Sequence, residues 1–517
     1  MLARLKPLDG TSMTKLRICF THYRIGDRDG VNAIIFRNIA GLELIHPEWV
    51  FSLAGKLSSN IREFEYTYHE RFAHIDIPEF SPDSWDKKVP EGTADDYIFA
   101  GEELCEKMKT EFADFDVIIA ENLQVGNYPP LSYGYYLYVK WCWKHEPRKR
   151  FIFRAHDFYK DRPENFINIE KLNAAVYPAV PDWHSVLFPN IPNVYFAAIN
   201  RTSLNFIYEQ GIPEERLFYL PNCLDSTIHP GDGMSPGFRK VLRDRWGLDE
   251  HTKILFSPIR CTPRKNIEES LLLLKVLNRL GESSIDAPAD LVHSMKFHLI
   301  LSMNISSGKA ASYSRAIDEY VNRNNLPAHI GFRGLIDLER RYDDDGNIRT
   351  YSLSDAYAAC RAVLTTSILE GFGFVFLEPW TAGKFLIGRN INDVTYDFKT
   401  YAGLAFDTLY NKLTVDRIDF PLIGLPNVYA KNRGNILIPE QIETKLEIVS
   451  RIDDDNFFGT FIRENHDALK SIVAALTDPD SQDEDIANNS NNIKKYFSQD
   501  VISQRLSEII LKAVENT

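Results

Sequence analysis

Glu370 and Glu378 bracket a short run, Gly371-Phe372-Gly373-Phe374-Val375-Phe376-Leu377, that closely follows the apolar stretch Val363 to Thr366. That stretch reads as a strand, Ser367 to Gly373 as the turn after it, and a helix is expected to begin near Phe374. Gly371 and Gly373 then sit where backbone amides can approach an anion closely. Glu370 would lie on the turn and Glu378 in the first turns of the helix, so the two carboxylates would address different parts of one elongated ligand. Carboxylates accept hydrogen bonds from sugar hydroxyls, and glycines admit a phosphate. Taken alone, the same string is also a plain strand-turn-helix unit, with glycines for packing and Glu378 as a partner of the helix dipole.

A second group lies in Phe256-Ser257-Pro258-Ile259-Arg260-Cys261-Thr262-Pro263-Arg264-Lys265-Asn266, between a predicted strand and a predicted helix. A departing diphosphate needs fixed cations, because charge that develops in the transition state must be stabilised in a dry site. Arg260 and Lys265 are candidates for that task; a solvated basic loop is the alternative. Arg264 is a further cation whose direction the residue order leaves open. In the first half, His156 stands directly after the strand candidate Phe151 to Arg154. Asp29-Gly30-Val31 would open the first helix, and Arg24 and Arg28 nearby would meet an anionic acceptor or simply face solvent.

The string from Ser367 to Glu378 resembles the Ser-x-x-Glu-Gly-Phe-Gly-x(4)-Glu signature of glycosyltransferase family 4, whose members are retaining enzymes of GT-B fold. The resemblance spans roughly residues 16 to 400 and implies roles residue by residue. Glu370 would contact the transferred sugar and Glu378 the ribose hydroxyls. Gly371, Phe372, Gly373 and Phe374 would complete the donor-binding turn. Arg260 and Lys265 match the family's Arg-x(4)-Lys pair on the diphosphate, and His156 is similar to its strand-end histidine on the donor sugar. Where relatives carry a Gly-Gly pair, this chain has Asp29-Gly30, which weakens a phosphate role for Gly30 and opens an acceptor role for Asp29, Arg24 and Arg28. Pro221-Asn222-Cys223-Leu224-Asp225 is similar to the Pro-Asn-Gly-Val-Asp that closes the first domain in relatives. Pro379 and Trp380 depart from the usual Ala and Met, and Cys223 from the usual glycine.

The implied reaction is transfer of a hexose from a nucleotide-diphosphate sugar to a hydroxyl acceptor, with retention by front-face attack and without metal or other cofactor. Glu370, His156, Arg260 and Lys265 would carry it, and domain closure would exclude water. A small soluble sugar or a glyceric-acid derivative is the preferred acceptor; a surface glycan or a lipid-linked sugar is the alternative. A GT-B phosphorylase, an epimerase and a non-catalytic sugar-nucleotide binder are the competing functions.

These groups need strands to hold them. At 517 residues the chain exceeds one ordinary core, and short apolar runs alternate with helix-like segments from end to end. The expected class is α/β, GT-B, with two Rossmann-like doubly wound domains facing across a cleft. The first is expected over 1–225, followed by a linker over 226–250 rich in Pro, Gly, Asp and Ser. The second follows over 251–490, with a helical tail over 491–517 packing back on the first domain. Strands are expected at Leu16 to Phe20, Val117 to Ala120, Phe151 to Arg154 and Val194 to Ile199. The second series is Lys253 to Ser257, Phe297 to Ser302, His329 to Phe332, Ala362 to Thr366 and Phe385 to Ile387. Glu63 to Thr93 reads as an insertion. A net charge of -13 argues against nucleic acid and anionic membrane as partners. Tyr133 to Arg150, which interleaves aromatics with Lys and Arg, is read as a crossover helix, with a membrane-surface helix as the alternative. Six scattered cysteines, no signal-like N-terminus and no apolar span point to the cytoplasm.

Overall fold

The computed structural model describes residues 15–515 apart from 28, 59–60, 62–72, 82, 84–93, 175–181, 225–234, 236, 283–285, 304–309, 333–334, 338–339 and 424–438. Arg28, Asp225, most of Glu63 to Thr93 and much of the 226–250 segment lie outside the described residues. The chain divides into two compact units, one of residues 1–223 with 499–517 and one of 224–498.

The first unit is built on strands β1 (Arg17–Ile25), β2 (Val50–Leu57), β3 (Ala73–Asp76), β4 (Val117–Glu121), β5 (Arg150–Ala155), β6 (Val194–Ala198) and β7 (Leu217–Tyr219). They run in the order β3-β2-β1-β4-β5-β6-β7, and every neighbouring pair is parallel. A parallel sheet covered by helices on both faces asks for strands that are apolar throughout. β4 and β5 are buried along their whole length, apolar except for Glu121, Arg150 and Arg154, whose charged groups find partners inside. β2, β3 and β7 escape the sequence reading, since β2 ends in the half-buried Lys56 and Leu57 and the other two are short and only partly covered. β3 falls inside the segment read as an insertion and is the edge of the sheet instead.

The second unit repeats the plan. Its strands are β8 (Lys253–Arg260), β9 (Phe297–Met303) and β10 (Ala328–Ile330), then the short β11 (Ile336–Asp337), β12 (Arg341–Tyr342) and β13 (Ile348–Ser352), then β14 (Ala362–Thr365), β15 (Leu386–Arg389) and β16 (Leu409–Tyr410). The main sheet is β10-β9-β8-β14-β15-β16, parallel throughout, and β11 to β13 form a small sheet of their own. In both sheets the strand order reverses, between β1 and β4 in one and between β8 and β14 in the other. Ligands of doubly wound sheets bind beyond the carboxyl ends of the strands at such a switch point.

Three boundaries differ from the sequence reading. A helix, Phe238–Trp246, lies within the 226–250 stretch read as linker; its amphipathic face buries Phe238 and Leu242. The tail read as one helix is two, Asp483–Phe497 and Gln499–Glu515, because Ser498 is extended. The former belongs to the second unit and the latter to the first, where Gln499 Nε2 donates to Arg37 O at 3.0 Å and His46 Nε2 lies 2.6 Å from Ser507 Oγ. The aromatic and basic stretch from Tyr133 is the helix Pro129–His145, whose Tyr133, Tyr135, Tyr138 and Cys142 are core. Lys149 and Arg150 are buried as well: Lys149 Nζ donates to Phe112 O at 2.6 Å and Arg150 Nε to Ala513 O at 2.8 Å. Lys140, Lys144 and Arg148 of the same stretch remain exposed. Among the described residues no helix is long and apolar enough to cross a membrane, and all six cysteines are buried.

Candidate functional site

In the second unit the groups singled out from the sequence converge beyond the ends of β8 and β14. Lys265 ends a 3-10 turn, Pro263–Lys265, and Asn266 follows in the left-handed region at φ 50. Asn266 Nδ2 donates to Glu269 Oε2 at 2.6 Å, and Thr366 Oγ1 reaches Lys265 O at 3.1 Å, so the loop is tied to both flanking elements. Lys265 Nζ is ion-paired with Glu370 Oε1, and both side chains are nearly buried, at 10% and 7% exposure. Arg264, whose direction was open, turns onto the same carboxylate: its Nη1 lies 3.4 Å from Glu370 Oε2 and donates to Leu369 O at 3.1 Å. Arg260, the last residue of β8, is exposed and within electrostatic reach of Lys265.

Charge and burial oppose each other here. Burial works against a charged Glu370, yet Lys265 and Arg264 outweigh it and hold the carboxyl below the usual range. Burial pulls the Lys265 amine down against the attraction of Glu370, and Arg264 and Arg260 add to the pull. Lys265 and Arg264 share the single Glu370 carboxylate, an arrangement that suits a polyanionic ligand.

The helix expected near Phe374 is shorter and later. A 3-10 turn, Phe374–Phe376, precedes a single helical turn, Glu378–Thr381, with Pro379 inside its first turn where a missing N–H costs nothing. Glu378 is half-buried and accepts from Tyr357 O–H at 3.2 Å. Phe372 is core: its ring meets those of Phe374, Phe398 and Phe497 at 5.2, 5.4 and 6.0 Å, so its side chain packs the turn. Phe374 and Gly371 keep partial exposure. Gly373 has φ +85, and a Cβ there would stand 2.7 Å from Val394 Cγ1 and 2.9 Å from Phe376 Cδ2. Gly373→Ala is therefore expected to cost roughly 1–3 kcal/mol and to weaken nucleotide binding. A denaturant midpoint and a nucleotide titration equal to those of the parent chain would refute this.

In the first unit the ends of β1, β4 and β5 gather a second set. His156 follows β5 and is buried, with Nε2 2.6 Å from Glu121 Oε2. Asn122, at φ 63, accepts from the backbone N–H of His156 and of Asp157 at 3.2 and 3.0 Å, which pins the strand-end turn. Arg24 is ion-paired with Asp83 and lies 3.4 Å from Asp27, so its charge is already matched. Asp29 is the N-cap of the helix Gly30–Ile45: its carboxylate accepts from Asn32 N–H at 2.8 Å. That cap engages one carboxylate oxygen of Asp29, Oδ1, which also accepts from Asn32 Nδ2 at 3.1 Å. Gly30 is the exposed first residue of that helix.

Sequence reasoning missed Glu121, Asn122, His22 and Tyr357. Glu121-Asn122 directly follows the apolar run of β4, and that strand-end position was the available signal. Tyr357 sits within a helical period and carries none.

No family model matches the chain. It is 24% identical over 464 residues to mannosylglucosyl-3-phosphoglycerate synthase of Petrotoga mobilis, covering 87% of this chain and 79% of that protein. It is 21% identical over 392 residues to mannosylglucosylglycerate synthase of the same organism, covering 70% and 80%. Among solved structures it is similar to a glycosyltransferase from Rickettsia africae, with TM-score 0.53 and 13% identity over 97% of this chain and 100% of that one. Anabaena HepE in complex with UDP and glucose is similar at TM-score 0.51 and 13% identity, covering 96% and 99%. With two doubly wound sheets, a cationic loop and a paired carboxylate at the switch point of the second, and these relatives, the chain is a glycosyltransferase of the GT-B type.

Proposed function

We propose that the chain is a retaining, metal-independent glycosyltransferase like those of family 4, moving a hexose from a nucleoside-diphosphate sugar to a hydroxyl of an anionic, glycerate-type acceptor. The observation that carries the donor side is Glu370 held between Lys265 and Arg264 beside Arg260. On this reading the cations take the diphosphate, and Glu370, released in part from Lys265, accepts from sugar hydroxyls. The C1–O bond to the diphosphate breaks while C1 bonds the acceptor oxygen on the same face, and the acceptor proton leaves on a departing phosphate oxygen. Arg260, Arg264 and Lys265 supply the positive charge that a metal provides elsewhere. His156 binds a hydroxyl of the sugar, and Glu378 the ribose.

The acceptor class follows the two curated relatives, whose names specify a phosphoglycerate and a glycerate bearing glucose and mannose. Such an acceptor carries a carboxylate. In the first unit Arg24 and Lys56 both pair with Asp83, Lys56 at 3.3 Å, and the anionic acceptor group is the chemical equivalent of that side chain. The buried reduced cysteines fit a cytoplasmic setting.

The test incubates the chain with UDP-, GDP- and ADP-hexoses, each with 3-phosphoglycerate, glycerate and their glucosides, with and without EDTA. Transfer with the anomeric configuration of the donor kept in the product, unaffected by EDTA, is expected. An inverted product or a requirement for metal overturns those parts of the reading; phosphorolysis or isomerisation without transfer overturns the whole.

A further inference from the structure

Glu121 closes β4 with no exposed surface, and its contacts define the state of the histidine beside it. Its Oε2 lies 2.6 Å from His156 Nε2. An ionised carboxylate only accepts, so Nε2 carries the proton between them, and in the neutral ring Nδ1 is then the acceptor. Among the described residues Nδ1 has no hydrogen-bond partner. Arg154 faces the other carboxylate oxygen, with Nη1 3.7 Å from Oε1, and is itself fully buried. Burial drives Glu121 toward its neutral form, but Arg154 and His156 outweigh it and hold the carboxyl below the usual range.

The remaining neighbour is His22, which comes from β1. Its Nδ1 is 2.7 Å from Arg24 O, a carbonyl, so that nitrogen donates. Burial lowers the affinity of His22 for a proton, against the attraction of Asp29 and Glu121 and together with the repulsion of His156. Among the described residues, the charged and titratable groups around Glu121 are thus Arg154 and His156 from β5 and its end and His22 from β1, with Asp29 acting on His22. A merely structural ion pair would make no demand on which imidazole nitrogen holds the proton; this arrangement makes one.

We propose that Glu121 is a positioning residue which, paired with Arg154, fixes His156 in the tautomer protonated at Nε2, so that Nδ1 accepts a hydrogen bond from a hydroxyl of the transferred sugar. The inference rests on the reading of His156 as a sugar ligand and adds what keeps it competent. In Glu121→Gln the amide oxygen turns to Arg154, which only donates, and the amide NH2 turns to His156. Nε2 must then accept, the proton moves to Nδ1, and the hydroxyl loses its acceptor.

The experiment reads the ring nitrogens of His156 by 15N NMR in the full chain and follows transfer against pH. In the parent chain the neutral ring is expected to be protonated at Nε2; protonation at Nδ1 overturns the proposal without any variant. In Glu121→Gln the tautomer is expected to switch and kcat/KM to fall roughly 10- to 100-fold, as for other partners that orient an imidazole. The dissociation constant for the nucleotide product is expected to stay within about threefold, since the nucleotide is read as a ligand of the second unit. A Glu121→Gln enzyme with the parent tautomer, or with parent kcat/KM and pH profile, overturns the proposal. His156→Ala separates the two layers. If it is inactive while Glu121→Gln is not, only the positioning role fails; if it is fully active, the sugar-ligand reading fails as well.

Discussion

Lys265→Ala is expected to reduce transfer by roughly 10²- to 10³-fold, the loss typical when one fixed charge-stabilising group is removed from a transition state. The amine stands in a nearly dry position, so its charge is little screened, and no mobile cation from solvent replaces it there. The fold is expected to survive, because Glu370 keeps Arg264 at 3.4 Å. Stability still drops, since Glu370 loses its nearer partner. The pair variant Lys265→Met/Glu370→Gln is therefore expected to regain stability over Lys265→Ala while remaining inactive. Glu370→Ala is expected to be as inactive as Lys265→Ala, with the cations freed to bind nucleoside diphosphate at least as tightly as before. Steady-state transfer, a diphosphate titration and urea unfolding together decide the matter. Transfer within threefold of the parent in Lys265→Ala would remove the diphosphate role, whatever the other variants do.

The largest effect on stability is expected one shell behind that loop, at Arg389→Met. Arg389 ends β15 nearly buried, with Nε and Nη2 donating to Glu269 at 2.9 and 2.8 Å and Nη2 donating to Asp419 at 2.9 Å. Glu269, without exposed surface, also accepts from Tyr410 O–H at 2.5 Å and from Asn266 Nδ2 at 2.6 Å. The guanidinium is held well above its ordinary proton affinity, because the attraction of Glu269 and its neighbours exceeds the cost of burial. Deleting it strands a buried carboxylate, for which about 3–5 kcal/mol is the usual penalty. Because Glu269 also holds Asn266, the residue after Lys265, the same change is expected to loosen the donor loop and lower transfer. Arg389→Met/Glu269→Gln is expected to recover a substantial part of the stability. A urea midpoint change of under about 1 kcal/mol for Arg389→Met would show that Lys445, buried near Glu268 and Glu269, already neutralises the cluster.

The alternation of apolar runs and helical periods was enough to read the architecture, because fully buried parallel strands such as Phe151 to Arg154 leave no other pattern. Arg260, Lys265, Glu370 and Gly373 were equally legible, since a turn after a strand places its residues at the carboxyl edge of the sheet whatever surrounds it. Short or half-covered strands, β3 and β7 among them, were not, because their burial depends on neighbours distant in the chain. The same holds for partners. Residue order could nominate Glu370 and Lys265 separately, but only the folded loops bring them into one ion pair and turn Arg264 onto it. It could nominate His156, but the parallel register of β4 and β5, which pairs Glu121 with Arg154, brings Glu121 alongside. It nominated Asp29 and Phe372 as binding residues; only the fold shows that one also caps a helix and that the ring of the other packs in the core. Local spacing determines which chemistry is on offer, while proton location, charge pairing and burial belong to contacts between distant strands, and those exist only once the sheets have formed.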